Sequence, residues 1–123
     1  MGTDLEVVVS NSGTIVIITL IGEAHMDAED AYSPLERAAA QHPRAVVVDA
    51  TRLTFMNSMG MHWLLKLRRN VMEAGGKLRI AGLHPMIQTA LRHACILEMF
   101  ELSADLPAAL ALVSDETSPP PAP

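Results

Sequence analysis

Apolar residues come in short dense runs along this chain, and the polar residues between them mark where it turns. Leu5–Ser10 is rich in valine and reads as a strand. Asn11-Ser12-Gly13 follows with turn chemistry, since Asn and Gly tolerate positive φ. Thr14–Leu20 is β-branched and apolar throughout, so the two runs predict an antiparallel hairpin. The second run is apolar at odd and even positions alike, as a central strand buried on both faces requires, and Gly22 is expected to end it. Between Asp27 and Gln41, residues Ala31, Leu35, Ala38 and Ala39 recur at helical spacing. Two starts are open to this helix. Asp27 can cap it, or Ser33-Pro34-Leu35-Glu36 can, with Ser as cap, Pro at the first helical position and Glu closing a capping box. A kink at Pro34 reconciles them, and His42-Pro43 ends the helix.

Ala45–Asp49 is a short, almost wholly apolar strand, and Ala50–Asn57 is expected to be a loop leading into a helix from Ser58 to about Ala74. On that helix Met61, Leu64, Leu65, Leu67, Val71 and Met72 share one face, while His62, Lys66, Arg69, Asn70 and Glu73 share the other. Arg68 falls near the apolar side, where its stem can lie along apolar surface. Gly75-Gly76 supplies a left-handed C-cap. Lys77–Ala81 reads as a strand, His84-Pro85 opens a helix to about His93, and Phe100-Glu101-Leu102 reads as a short edge strand. Ser103 is expected to cap a last helix, Ala104–Val113, with Leu106, Leu110 and Val113 at helical spacing. Ser114–Pro123 is polar and then Pro-rich, so a domain over 1–113 and a disordered tail over 114–123 are expected. The order β-β-α-β-α-β-α-(β)-α implies an α/β domain: a mixed four- to five-stranded sheet with helices packed on it and an N-terminal β-hairpin. In such sheets sites gather at the carboxyl ends of strands, here Gly22–Asp27, Asp49–Gly60 and Gly82–Pro85.

Composition narrows the picture. A chain of 123 residues can enclose one core, and with 50% hydrophobic but only 3% aromatic residues that core must be aliphatic, the eight methionines serving as filler. No apolar run approaches the roughly 18–20 residues of a membrane span, so no membrane insertion is expected. The start Met1-Gly2-Thr3-Asp4 has no basic stretch before an apolar core, and Glu6 stands where myristoylation needs Ser or Thr, so neither a signal peptide nor an acyl anchor is expected. The single Cys95 lies among Ala94, Ile96 and Leu97 and reads as a buried packing residue in a reducing, cytoplasmic setting. A net charge of −5 argues against nucleic acid, and the cluster Lys66, Arg68, Arg69 reads as a solvated helix face.

Candidate chemistry narrows it further. The histidines at 25, 42, 62, 84 and 93 form no His-x-x-x-His pair, so no metal is expected. There is no phosphate loop and no dinucleotide fingerprint, hence no expected cofactor. Met56-x-Ser58-x-Gly60 matches half of a nucleophile elbow, but Met56 replaces the first glycine; no catalytic residue and no enzyme activity are expected. What remains is Phe55–Gly60, a strand running into a helix. Its Ser58 reads either as an N-cap or as a hydroxyl placed where a helix N-terminus would stabilise an anion such as phosphate.

Val46-Val47-Val48-Asp49-Ala50-Thr51-Arg52-Leu53-Thr54-Phe55-Met56-Asn57-Ser58-Met59-Gly60 resembles the signature of STAS domains, in particular the bacterial anti-sigma-factor antagonists. Leu20-Ile21-Gly22-Glu23, Ala74–Leu83, Leu91–Leu102 and Asp105–Leu112 resemble other segments of that family, so the likeness reaches about Val113. The resemblance implies a protein that catalyses nothing itself and regulates transcription by partner switching. An anti-sigma factor of the histidine-kinase-like ATPase type binds it and phosphorylates it on Ser58, and a phosphatase resets the cycle. It implies a partner surface of Gly22, Glu23, His25, Asp49, Asn57, Ser58, Met59, Gly60 and Met61, on a monomer or weak dimer. Two positions depart from the family pattern: Asn57 stands where the phosphorylated antagonists carry Asp, and Gly22-Glu23 is followed by Ala24-His25, with Asp27 two residues late. A non-switching STAS subunit of a transporter or stress complex, or a small-ligand-binding STAS module, are the alternatives.

Overall fold

The computed structural model describes residues 5–24 and 44–117. The helix expected over 27–41 lies outside them, as does His25. Five strands, β1 (Glu6–Ser12), β2 (Ile15–Ala24), β3 (Ala45–Met56), β4 (Lys77–Ala81) and β5 (Glu101–Ser103), form one sheet in the order β1-β2-β3-β4-β5. The β1–β2 pair is antiparallel and the other three pairs are parallel. The helices, numbered over the described residues, are α1 (Ser58–Glu73), α2 (Pro85–His93) and α3 (Leu106–Thr117). None of them is long and apolar enough to cross a membrane.

The sheet is covered on both faces, which explains the unbroken apolar runs. Val46 and Val48 point into a large core with Ile18, Leu20, Leu64, Val71 and Leu91, while Ala45 and Val47 point into a smaller one with Ile15, Ala81, Ala109 and Val113. Alternate residues of β3 therefore serve α1 and α2 on one side and α3 on the other.

Several boundaries differ from the sequence expectation, each for a local reason. The hairpin turns at Gly13-Thr14 instead of Asn11–Gly13, because Ser12 pairs with Ile15. Of the two turn residues only Gly13 has positive φ, the pattern of a type II′ turn. The last helix is capped by Asp105, whose carboxylate accepts from the Ala108 backbone at 2.9 Å, and not by Ser103, which belongs to β5. It also runs four residues past Val113, to Thr117. Cys95 is exposed, not buried. It is the residue after the α2 C-cap and takes a φ of 61°, which turns its side chain out of the core. The Cys95 and Ile96 N–H groups donate to the Arg92 and Leu91 carbonyls at 2.9 and 3.0 Å, a Schellman closure built without glycine. The methionines are not mainly filler: Met59, Met72, Met86 and Met99 are all exposed.

The largest difference is β3. Ala50–Asn57 is not a loop: the strand continues to Met56. Its pairing with β2 slips twice, since Thr19 faces Asp49 but Ile21 faces Arg52, and Gly22 faces Leu53 but Glu23 faces Phe55. Each slip is one extra residue in β3, a β-bulge. The core-facing residues of β3 run 46, 48, 50 and then 53, 56, so the spacing of two becomes three where the bulges fall. Gly22 does not end β2 but sits between the bulges at a φ of 101°.

At the first bulge Thr51 donates both its backbone N–H (3.1 Å) and its hydroxyl (2.6 Å) to one Asp49 carboxylate oxygen. Gly82, with a φ of 68°, lies so close that an added Cβ would collide with Thr51, whose Cα and Cβ would each be 3.2 Å away. Gly82→Ala is therefore expected to cost about 1–3 kcal/mol of stability from the left-handed backbone and the collision together. Thr51→Ala, which removes the nearest atom, should recover part of that loss in the double variant. Urea midpoints of the four proteins measure it, and an unchanged Gly82→Ala midpoint would rule out the close approach.

Candidate functional site

The second bulge delivers the chain to the junction where β2, β3 and α1 meet. The Thr54 hydroxyl donates to the Gly22 carbonyl at 3.0 Å and ties the two strands there. Beyond it Glu23 lies beside Phe55 and Ala24 beside Met56. The Asn57 N–H donates to the Ala24 carbonyl at 3.1 Å, so the start of α1 hangs on the end of β2. Gly60 makes the approach possible: a Cβ there would stand 2.8 Å from the Met56 Cγ and 3.1 Å from the Ala24 Cβ. The family-like glycine at this position thus has a steric cause in this chain.

The cap of α1 is Asn57, not Ser58. Asn57 has extended backbone, and its Oδ1 accepts from the Gly60 N–H at 3.0 Å. Its carbonyl takes the first helical bond, from Met61 at 3.0 Å. Of the two readings of Ser58 left open by the sequence, the cap is thereby filled by its neighbour. Ser58 is the first helical residue, exposed, and its hydroxyl is not used to close the helix.

The helix end has four N–H groups without intrahelical partners. Asn57 satisfies its own on Ala24, and its side chain satisfies that of Gly60. Among the described residues the N–H groups of Ser58 and Met59 remain, beside the Ser58 hydroxyl and at the positive end of a 16-residue helix. An anion attached to Ser58 would find two donors and a favourable dipole within its own first turn.

Two exposed apolar side chains flank this hydroxyl in the chain. Phe55 and Met59 are each 44% exposed, on either side of Asn57-Ser58. Met61 is half-buried and packs on the larger core. Met86, in the first turn of α2, is exposed at the same carboxyl end of the sheet. There the His84 Nδ1 accepts from the Met86 N–H at 3.0 Å and caps α2 ahead of Pro85, the start expected from the sequence.

Of the candidate residues, Gly22, Glu23, Asn57, Ser58, Met59, Gly60 and Met61 converge on this junction. Asp49 does not: it lies seven positions before Met56 along the strand, on the order of 20 Å. Its carboxylate is engaged by Thr51. Sequence reasoning left Ala24, Thr54 and Phe55 out of the partner surface. Small Ala24 answering Gly60 was the readable signal for a close helix–strand contact. Phe55 was readable as an aromatic residue in a chain that has very few. Trp63, absent from the expected apolar face of α1, is buried in the core. Among the described residues no group of three or more His, Cys, Asp or Glu comes together to hold a metal.

With this geometry in place, comparison with known proteins is informative. No curated protein matches the chain. The structure is similar to an anti-sigma factor antagonist from Mycobacterium paratuberculosis (TM-score 0.82, 19% identity, 94% of this chain and 100% of that one). It is similar to the anti-sigma factor antagonist SpoIIAA in its unphosphorylated form (TM-score 0.75, 19% identity, 89% and 96%). It is also similar to a sulfate transporter family protein from Wolinella succinogenes (TM-score 0.73, 17% identity, 88% and 93%). At these identities the likeness is one of fold. The sequence model of the STAS domain matches residues 6–109, nearly the whole of the described fold, and this chain belongs to the STAS domain family.

Proposed function

We propose that this protein is an anti-sigma-factor antagonist, that it binds an anti-sigma factor of the histidine-kinase-like ATPase type through the β2–β3–α1 junction, and that phosphorylation of Ser58 turns the interaction off. The observation that carries this reading is the division of labour between Asn57 and Ser58. Asn57 closes the helix, so the Ser58 hydroxyl is free to be modified without unravelling the turn that presents it.

The physical logic of the switch is short. In the unmodified protein, Phe55 and Met59 offer apolar area around a small neutral hydroxyl, the kind of surface a partner can desolvate at little cost. A phosphate adds about −1.5 to −2 charges at the centre of that surface. The N–H groups of Ser58 and Met59 and the helix dipole stabilise the charge in the free protein. The fold therefore tolerates the phosphate, while the complex must bury it. Kinase and ATP belong to the partner and the reset to a phosphatase, so no catalytic residue or cofactor is required of this chain.

A second reading rests on Asn57. It keeps the capping oxygen of the Asp found in phosphorylated antagonists and lacks its charge. If the kinase reads that carboxylate, the chain is a non-switching STAS subunit instead. Wild type and Asn57→Asp side by side separate the two: under the switch reading the partner kinase phosphorylates wild type, and Asn57→Asp faster; under the second reading only Asn57→Asp takes up phosphate; and equal rates make residue 57 a cap only. Asn57→Ala should lower stability by about 1 kcal/mol through loss of the cap, read as a shift in urea midpoint.

The central test is a titration of wild type, Ser58→Ala and Ser58→Glu against the anti-sigma partner, with and without ATP. Ser58→Ala should bind as wild type and take up no phosphate. Ser58→Glu should bind about ten- to a hundredfold more weakly, roughly 1–3 kcal/mol, because a carboxylate must then be desolvated in the contact. Equal binding by Ser58→Glu, with no phosphate on Ser58 in wild type, would eliminate the switch.

A further inference from the structure

Among the described residues β1 and β5 are the two edges of the sheet, and they are built differently. β5 is three residues long, a short edge that offers little to a further strand. β1 has seven residues, pairs with β2 without a slip, and contains no proline, lysine or arginine. Its one charge, Glu6, stands at its first position. Shortness, bulges, prolines and lysines are the devices that keep an exposed edge from pairing, and β1 carries none of them. Val8 and Val9 are instead 44% and 38% exposed on it.

The hairpin fixes which backbone groups that edge offers. Ser12 and Ile15 close a two-residue turn, so they form a hydrogen-bonded pair, and such pairs alternate along an antiparallel ladder. Ser12, Ser10, Val8 and Glu6 therefore turn their backbone groups toward β2. Val7, Val9 and Asn11 direct theirs outward, where no strand lies among the described residues. The side chains sort by the same alternation. Val7 packs against the larger core, and Val9 follows it on that face. Val8 stands on the other face with Glu6 and Ser10, opposite Thr19, Ile21 and Ile17, the side where Ile15 joins the smaller core under α3.

We propose that β1 pairs with β1 of a second copy of this chain, giving a two-fold dimer in which one sheet runs through both molecules. The strand is complementary to itself in one register. With Val8 facing the partner's Val8, Val7 faces the partner's Val9, Val9 the partner's Val7, and Glu6 the partner's Ser10. Each valine of the strand then meets a valine, and each carboxylate meets a hydroxyl that can donate to it. Shifted so that Val9 meets the partner's Val9, the strand sets Val7 against the partner's Asn11 and Val8 against the partner's Ser10. Shifted to Val7, it sets Glu6 against the partner's Val8. In the favoured register Val7 and Val9 carry the larger core across the boundary, and their outward N–H and C=O groups make its hydrogen bonds. Each chain has one such edge, so the pairing closes at a dimer. It shares no residue with the Ser58 junction, so the two readings stand or fall separately.

The test is sedimentation equilibrium of the full chain from about 10 µM to about 1 mM, the range suited to a small edge-to-edge contact. Wild type is expected to pass from monomer to dimer within it. Val8→Lys sets two ammonium groups against each other at the two-fold axis, and should weaken association at least tenfold with an unchanged far-ultraviolet circular dichroism spectrum. A crosslink reads the register independently. With the exposed Cys95 first replaced by Ser, Val8→Cys should form an intermolecular disulfide under mild oxidation at least tenfold faster than Val9→Cys. The two copies of residue 8 lie directly opposite, whereas those of residue 9 are two positions out of register, beyond the roughly 7 Å that a disulfide spans between Cα atoms. A chain that stays monomeric at the top of the concentration range, a Val8→Lys variant that associates as wild type, or equal crosslinking at residues 8 and 9 overturns the proposal.

Discussion

The start of α1 is fixed by one narrow contact, the Asn57 N–H on the Ala24 carbonyl with Gly60 tucked beneath it. The first turn of α1 takes its position from this joint. It sets where the helix axis leaves the sheet, and therefore which N–H groups face outward. The approach tolerates no side chain at residue 60, and it is reached only because two bulges lengthen β3 relative to β2. Those bulges have their own fasteners: the Asp49 carboxylate on Thr51 at the first, the Thr54 hydroxyl on the Gly22 carbonyl at the second. A strand that ended at Asp49 would leave Ser58 on an unsupported loop.

The periodicity of the chain made most of the fold legible, and its failures are physically instructive. Val46-Val47-Val48 announced a strand buried on two faces, and Leu64, Leu67 and Val71 announced the face of α1, because burial repeats with the geometry of the element. Arg52 to Phe55 hid its strand because each bulge adds a residue, and a period of two that becomes three looks like no period at all. Asn57 and Ser58 are both good caps by type. Only the pairing of Ala24 with Met56 decides which one stands at the helix boundary. Cys95 misled through its apolar neighbours, whereas a left-handed φ after α2 carried it to the surface. The candidate site was legible as a segment, Asn57 to Met61, with Gly22 and Glu23 across from it; the distance to Asp49 was not, since the sequence does not state how far a strand continues.

The same fold appears in anti-sigma factor antagonists and in a sulfate transporter family protein, each below 20% identity to this chain. That range is what a sheet of Val, Ile, Leu and Ala permits: many sequences satisfy the same alternation, so fold alone does not choose among roles. What this chain presents at the junction is carried by a few positions, among them Asn57 with no charge and Phe55 and Met59 with exposed apolar area.

The two cores are unequal, and this bears on how the molecule breathes. The face under α1 and α2 buries a continuous cluster of large side chains, whereas α3 is held by Ala109 and Val113, with Leu106 and Leu110 at the margin. Opening α3 uncovers a small apolar patch and leaves the larger core and the β2–β3–α1 joint intact. Local opening requires the least free energy where the least apolar surface is uncovered. Amide protons of α3 therefore belong to an early-exchanging unit and those of β3 to the last, so the protein can loosen one flank while the junction around Ser58 keeps its shape.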